Sequence, residues 1–202
     1  MFFQEQEVKT FSFDQVVNVD SMESLHPELL QPLAESICSG YNGALLTCGA
    51  SSEKMCTLID LSIVKRVIAN LFSRMLSQAR EELFISVSFL QFYPDGSAVD
   101  LLSPKRDVLK PVTHPIFGSL VGGLCEVCVC SEEEAYAVYE TCRQTLNASA
   151  SSFPSRCSFL FAVAFEWKLN PEEVESDICC GRLQLFSLAG GATRTDLRGS
   201  SG

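Results

Sequence analysis

The segment Gln31–Cys56, QPLAESICSGYNGALLTCGASSEKMC, constrains this chain more than any other stretch. Leu25, Leu29, Leu30, Leu33 and Ile37 fall at helical spacing, Ser21 suits the N-cap and Gly40 suits the stop, so a helix is predicted. Ala44–Cys48 is a short apolar run that reads as a buried strand. A glycine-led loop follows where a phosphate-binding loop, G-x-x-x-x-G-K-[ST], would sit. In such a loop glycines let backbone N–H groups approach phosphate oxygens, the lysine neutralises the β and γ phosphates, and the hydroxyl sits on magnesium. Counting from Gly49, Lys54 takes the second glycine position, Met55 the lysine position and Cys56 the hydroxyl position, with Ala50, Ser51, Ser52 and Glu53 between them. Glu53 places negative charge where a triphosphate would lie, and a Cβ at Lys54 hinders the glycine conformation. Lys54 is one residue early; a register slip would recover a lysine but leave Met55 in the hydroxyl position. Taken without its flanks, the segment reads first as an ordinary strand-to-helix loop, because short motif matches are weak evidence.

Composition narrows the class. The 202 residues suit one domain with a sizeable core, and 47% hydrophobic with 20% charged residues describes a globular chain. No apolar run approaches membrane-spanning length; Phe159–Phe165, the longest clear one, suits a buried strand. The N-terminus, MFFQEQEVKT, shows no basic region followed by an apolar stretch, so the ten cysteines read as reduced thiols in a cytosolic protein. A net charge of −10 and a pI near 4.7 oppose nucleic acid as a partner.

Along the chain the pattern is α/β. Phe11–Val17 alternates as a half-buried strand does, and Leu61 to about Gln78 carries a helical apolar face. Leu83–Tyr93 reads as a strand, Pro94-Asp95-Gly96 as a turn, and Pro104–Pro115 as loop with a short strand. Gly123–Cys130 reads as a strand, and Ser131 caps a third helix with an acidic first turn, Glu132-Glu133-Glu134, running to about Leu146. Phe159–Trp167 and Leu183–Leu188 read as strands. The organisation expected is one domain over residues 1–190 and a small, polar, flexible tail over 191–202.

Five motifs in order give the chain a resemblance to the kinesin motor domain. Phe11–Val17 is similar to F-x-F-D-x-V-F, and Gly40-Tyr41-Asn42-Gly43 to G-Y-N-G. Val87–Tyr93 with Asp100-Leu101-Leu102 is similar to V-S-Y-L-E-I-Y…D-L-L, and Gly123–Val129 to G-L-x-E-x-x-V. Gly181–Gly190 resembles G-K-L-x-L-V-D-L-A-G. The resemblance implies a P-loop-type motor core: an α/β fold with a mainly parallel central sheet and helices on both faces, here incomplete at both ends. The R-x-R-P strand and the later helices of the family have no match, which suggests a fragment, a truncated isoform or a subunit that needs a partner.

The resemblance also assigns roles. The family's first switch, S-S-R-S-H, aligns with Pro154–Ser158, keeping Ser155 and Arg156. Its second switch, D-L-A-G-S-E, aligns with Ser187–Ala192, keeping Gly190 but replacing the magnesium-shell aspartate by Ser187 and the glutamate partner of Arg156 by Ala192. Efficient ATP hydrolysis is not expected from such a set. The Gly49 backbone at a helix start could still attract an anion, so weak ATP and magnesium binding stays open, with no cofactor otherwise expected.

Two functional classes follow. One is a degenerate motor domain acting as a binding or scaffold module in the cytoplasm, on microtubules or another motor or cytoskeletal chain, with no nucleic-acid or membrane partner. The other is a nucleotide-dependent microtubule motor that uses a shifted Lys54. Lys105, Arg106 and Lys110 are the basic residues that could meet an acidic partner, against an ordinary solvated loop. Cys125, Cys128 and Cys130 raise a zinc module, but His26 and His114 are isolated and no second ligand pair is spaced to match, so small strand filler is the better reading and no metal is expected. Cys179-Cys180 reads as an inert vicinal pair.

Overall fold

The computed structural model describes residues 10–14, 29–48, 61–78, 82–114, 118–148, 157–169 and 177–188. In chain order the elements are α1 (Gln31–Cys38), β1 (Asn42–Cys48), α2 (Leu61–Ser77), β2 (Phe84–Phe92), β3 (Ala98–Asp100), β4 (Val108–Leu109), β5 (Pro111–His114), β6 (Gly118–Val121), β7 (Val127–Cys128), α3 (Glu132–Ala148), β8 (Ser158–Lys168) and β9 (Ile178–Leu188). The main sheet runs β1-β9-β8-β2-β3-β4, with β7 also on β2, and β5–β6 form a separate hairpin.

Helix α1 carries Pro32 in its first turn, where the missing N–H costs nothing, and buries Ala34, Ile37 and Cys38. It ends as the sequence predicts: Gly40 takes φ +89°, and its N–H donates to the Ile37 carbonyl at 3.0 Å while Tyr41 N–H reaches Ser36 O at 3.1 Å. The proposed cap at Ser21 lies outside the described residues. Helix α3 begins with a reciprocal cap. Glu134 N–H donates to Ser131 Oγ at 3.2 Å, and Glu134 Oε2 accepts from Cys130 N–H at 2.8 Å.

All three described helices lie on one face of the sheet. Strand residues of odd number point toward them: Ile85, Val87 and Phe89 on β2, Phe161, Val163, Phe165 and Trp167 on β8, and Leu183 and Leu185 on β9. Phe72 of α2 meets Phe165 edge-on at 5.7 Å, and Tyr139 of α3 meets Phe161 at 5.1 Å and stacks on Phe89 at 5.8 Å. α1 seats by close approach. A Cβ on Gly181 would strike the Ile37 carbonyl oxygen, and one on Gly43 would strike the Leu33 side chain.

The sheet is mixed. Only β1–β9 is parallel among the described pairs of the main sheet; β2–β3, β2–β7, β2–β8, β3–β4 and β8–β9 are antiparallel. The expected α/β core of a central sheet with packed helices is present; within the described residues its pairing is mixed rather than mainly parallel, and connection length is the reason. Short links such as 169–177 between β8 and β9 allow a strand to turn back beside its predecessor, whereas a parallel neighbour needs a crossover.

Two expected strands also differ. Phe11 and Phe13 are 72% and 74% exposed with no regular structure, because nothing described pairs with them; residues 15–17 lie outside the described set. The Gly123–Cys130 strand shrinks to Val127–Cys128. Gly123 adopts φ +77°, and side-chain carboxylates capture the N–H groups of Cys125 and Cys130 that a longer ladder would use. The capturing residue at Cys125 is Asp100, fully buried. Its Oδ2 accepts from Cys125 N–H at 2.6 Å and its Oδ1 from Leu102 and Ser103 N–H at 2.9 and 3.3 Å.

The glycine contacts give a graded prediction. Gly181→Ala drives a Cβ into backbone and is expected to cost about 2–3 kcal/mol, whereas Gly43→Ala meets only the ends of flexible side chains and is expected to cost about 1 kcal/mol. Urea unfolding of the two variants checks the order; equal midpoints would contradict it.

Candidate nucleotide-site region

The strand ends that border the three segments singled out by the sequence lie at one end of the sheet. β1 ends at Cys48, and Gly49–Cys56 follows it; β9 ends at Leu188, and Gly190 and Ala192 follow. Antiparallel β8 starts at Ser158, directly after Ser155 and Arg156. Strand direction therefore brings both carboxyl ends and one amino end to the same edge, the position where open α/β sheets bind ligands. Helix α2 starts at Leu61.

Of the predicted site residues, Ser187 is described. It is 7% exposed and sits in register between Thr47 of β1 and Phe159 of β8. Gly49, Ser51, Ser52, Lys54, Met55, Cys56, Ser155, Arg156 and Gly190 lie outside the described residues. Thr47 Oγ1 donates to the Phe186 carbonyl at 3.1 Å, tying β1 to β9 near their carboxyl ends.

The same transverse row continues from Phe159 to Gln91 of β2, a residue the sequence reading treated only as part of a motif. Gln91 is 1% exposed, and neither atom of its amide has a hydrogen-bond partner among the described residues. Burial pushes the Cys157 thiol up, and Gln91 pulls it partly back, yet the contact falls outside hydrogen-bond geometry. A large amide beside Phe89, Leu90 and Phe92 on a strand whose other polar residues are small serines is the signal that could have marked this position. Removing both unpaired atoms at nearly constant volume, Gln91→Met, is expected to stabilise the fold by about 1–2 kcal/mol, seen as a higher denaturant midpoint.

The basic loop and the cysteines are also placed. Lys105 and Arg106 are exposed, with Arg106 at φ +50°, and Lys110 is exposed beside β4. Among the described residues no group of three or more His, Cys, Asp or Glu is arranged to hold a metal, and nine cysteines are outside any disulfide. Cys125 lies in irregular chain just before β7, outside the strand that holds Cys128. Burial pushes the Cys142 thiol up to about 11; burial, then Glu166 and Cys179, raise Cys180. With limiting iodoacetamide, Cys48, Cys128 and Cys130 are expected to alkylate in the native protein well before Cys38, Cys142 and Cys157, as read by peptide mass spectrometry.

The comparisons with known proteins bear on this geometry. The family profile of the kinesin motor domain matches residues 3–201. The chain belongs to the kinesin motor domain family. It is 30% identical over 210 residues to a kinesin heavy chain of Neurospora crassa, covering 96% of this chain and 22% of that protein. It is 28% identical over 211 residues to the human kinesin-like protein KIF15, covering 94% of this chain and 15% of that protein. A solved fast kinesin, described for its ATPase mechanism and interactions with microtubules, superposes with a TM-score of 0.76 at 25% identity, over 95% of this chain and 56% of the other. The chain thus spans about a fifth of the length of the curated relatives it matches. Among the described residues no helix is long and apolar enough to cross a membrane.

Proposed function

We propose that this kinesin motor-domain chain has a degenerate nucleotide site and acts as a cytoplasmic binding or scaffold module, on microtubules or on another motor or cytoskeletal chain, rather than as an efficient ATPase. The observation that carries the reading is Ser187. The family resemblance puts the magnesium-shell aspartate at this position, and the strand register pins it between Thr47 and Phe159. A one-residue slip would turn Phe186 or Leu188 to that position, so no local adjustment of β9 restores a carboxylate.

The other substitutions point the same way. Met55 and Cys56 stand where the lysine and the magnesium hydroxyl belong, and Ala192 stands where Arg156 would find its glutamate. Phosphoryl transfer depends on positioning and charge stabilisation, and every 1.4 kcal/mol of lost transition-state stabilisation is about tenfold in rate. Four missing contacts together put hydrolysis far below a working motor.

The purified protein is expected to show no thermal shift with magnesium–ATP and no microtubule-stimulated turnover, while sedimenting with microtubules equally with and without nucleotide. Ser187→Asp alone is expected to leave turnover absent, since the lysine and hydroxyl are still missing. Robust stimulated turnover that is lost in Lys54→Ala would overturn the reading in favour of a motor with a shifted lysine.

A further inference from the structure

We propose that Ser103 is a phosphorylation site for a proline-directed serine/threonine kinase, and that the phosphate unlocks the loop that closes β3 onto β4. The site is separate from the nucleotide-site region and from the function proposed for it.

The chain has eight prolines, and Pro104 alone follows a serine or threonine. Two basic residues come next, giving Ser103-Pro104-Lys105-Arg106. These residue types suit the cleft of such a kinase. A proline just after the acceptor brings no N–H that the cleft must satisfy, and it biases the serine before it toward extended backbone. Cations at the two following positions complement an acidic cleft.

The fold presents this segment outward. Ser103 is half-buried, and Pro104, Lys105, Arg106 and Asp107 are exposed. The four residues form a tight turn with Pro104 in second position, closed by Arg106 N–H donating to the Ser103 carbonyl at 2.9 Å. Arg106 takes φ +50°, a region that a residue with a Cβ occupies only when its surroundings hold it there.

Asp107 does the holding. Its Oδ2 accepts from Ser103 Oγ at 2.7 Å, and its carbonyl accepts from Asp100 N–H at 3.1 Å. Ser103 N–H adds a longer bond to Asp100 Oδ1 at 3.3 Å. The β3–β4 ladder that this loop closes is two residue pairs long, Ala98 with Leu109 and Val99 with Val108. With so short a ladder, the Ser103 hydroxyl is a principal tie between its two strands.

Phosphorylation reverses the chemistry of that tie. Ser103 Oγ attacks the γ-phosphorus of the ATP that the kinase holds. The Oγ–P bond forms as the bond from phosphorus to the β–γ bridging oxygen breaks, ADP leaves, and the hydroxyl proton passes to the base of the kinase. The modified oxygen has no proton to donate, and the group carries a charge of about −1.5 to −2 at neutral pH. The Asp107 carboxylate, which accepted a hydrogen bond, now faces an anion. The buried Asp100 carboxylate, bonded to the Ser103 N–H, adds a second negative charge. Lys105 and Arg106 are exposed cations free to follow the phosphate outward. Repulsion and attraction therefore act in one direction, and the turn leaves Asp107.

The whole folded chain, incubated with magnesium–ATP and a purified proline-directed kinase, is expected to gain one phosphoryl group by intact mass. Peptide sequencing is expected to place it on Ser103, with none gained when the kinase is left out. Ser103→Thr stays a substrate and Ser103→Ala does not. Pro104→Ala is expected to slow labelling about tenfold, the size of one good contact. Asp107→Ala, which releases the hydroxyl, is expected to speed it severalfold. In the phosphorylated protein, amide exchange over residues 100–109 is expected to rise severalfold while β8 and β9 keep their protection. Labelling of only the urea-unfolded chain overturns the proposal, as does a phosphate on another residue or a Pro104→Ala chain labelled as fast as wild type. Unchanged exchange over residues 100–109 after stoichiometric phosphorylation overturns the unlocking.

Discussion

The close seat of α1 on the sheet is the constraint from which the rest follows. Gly181 and Gly43, on adjacent parallel strands, leave room for the Ile37 backbone and the Leu33 side chain. With α1 that close, β1 cannot drift relative to β9, and their carboxyl ends stop level with each other at Cys48 and Leu188. Phe161, Phe165 and Tyr139 then fill the remaining space under α2 and α3. The level ending of those two strands is a result of packing beneath the sheet.

Much of this fold was readable from the residues. The helix over Leu61–Ser77 has an uninterrupted apolar period, and the acidic start at Ser131 carries its own cap, so both appear where periodicity and capping place them. The strands Phe84–Phe92 and Ser158–Lys168 are long apolar runs bounded by turns. The errors share a cause. Alternation in Phe11–Val17 and apolarity in Gly123–Cys130 describe a residue's suitability for a strand, but a strand exists only where a neighbour completes the ladder, and neighbours are set by tertiary topology. Strand direction was hidden for the same reason, since the family resemblance gave the order of the motifs without the lengths of the turns between them in space.

The candidate site was legible in another way. Its chemistry could be read by position, because a missing lysine or aspartate is a fact of sequence. Its geometry could not. That Ser187 is pinned from both sides, and that Gln91 lies in the same row beyond Phe159, emerges only from the pairing of β1, β9, β8 and β2. Gln91 sits 96 residues before Ser187 in the chain, and no periodicity links them (187 − 91).

The Asp100 carboxylate has a mechanical consequence. It holds the turn at Leu102-Ser103 with one oxygen and the chain at Cys125 with the other. Strand β4, which follows the first of these points, pairs with β3, and Leu109 on it comes within 3.7 Å of the Cβ position of Gly123, just before the second. The β5–β6 hairpin, Pro111–Val121, is strung between those two points. Both of its feet are thus clamped to the same short stretch of the sheet. Anchored so, the strand pair is expected to act as a cantilever: a load on it would pass as torque into β3 and β4, through the Asp100 carboxylate and the β3–β4 ladder together.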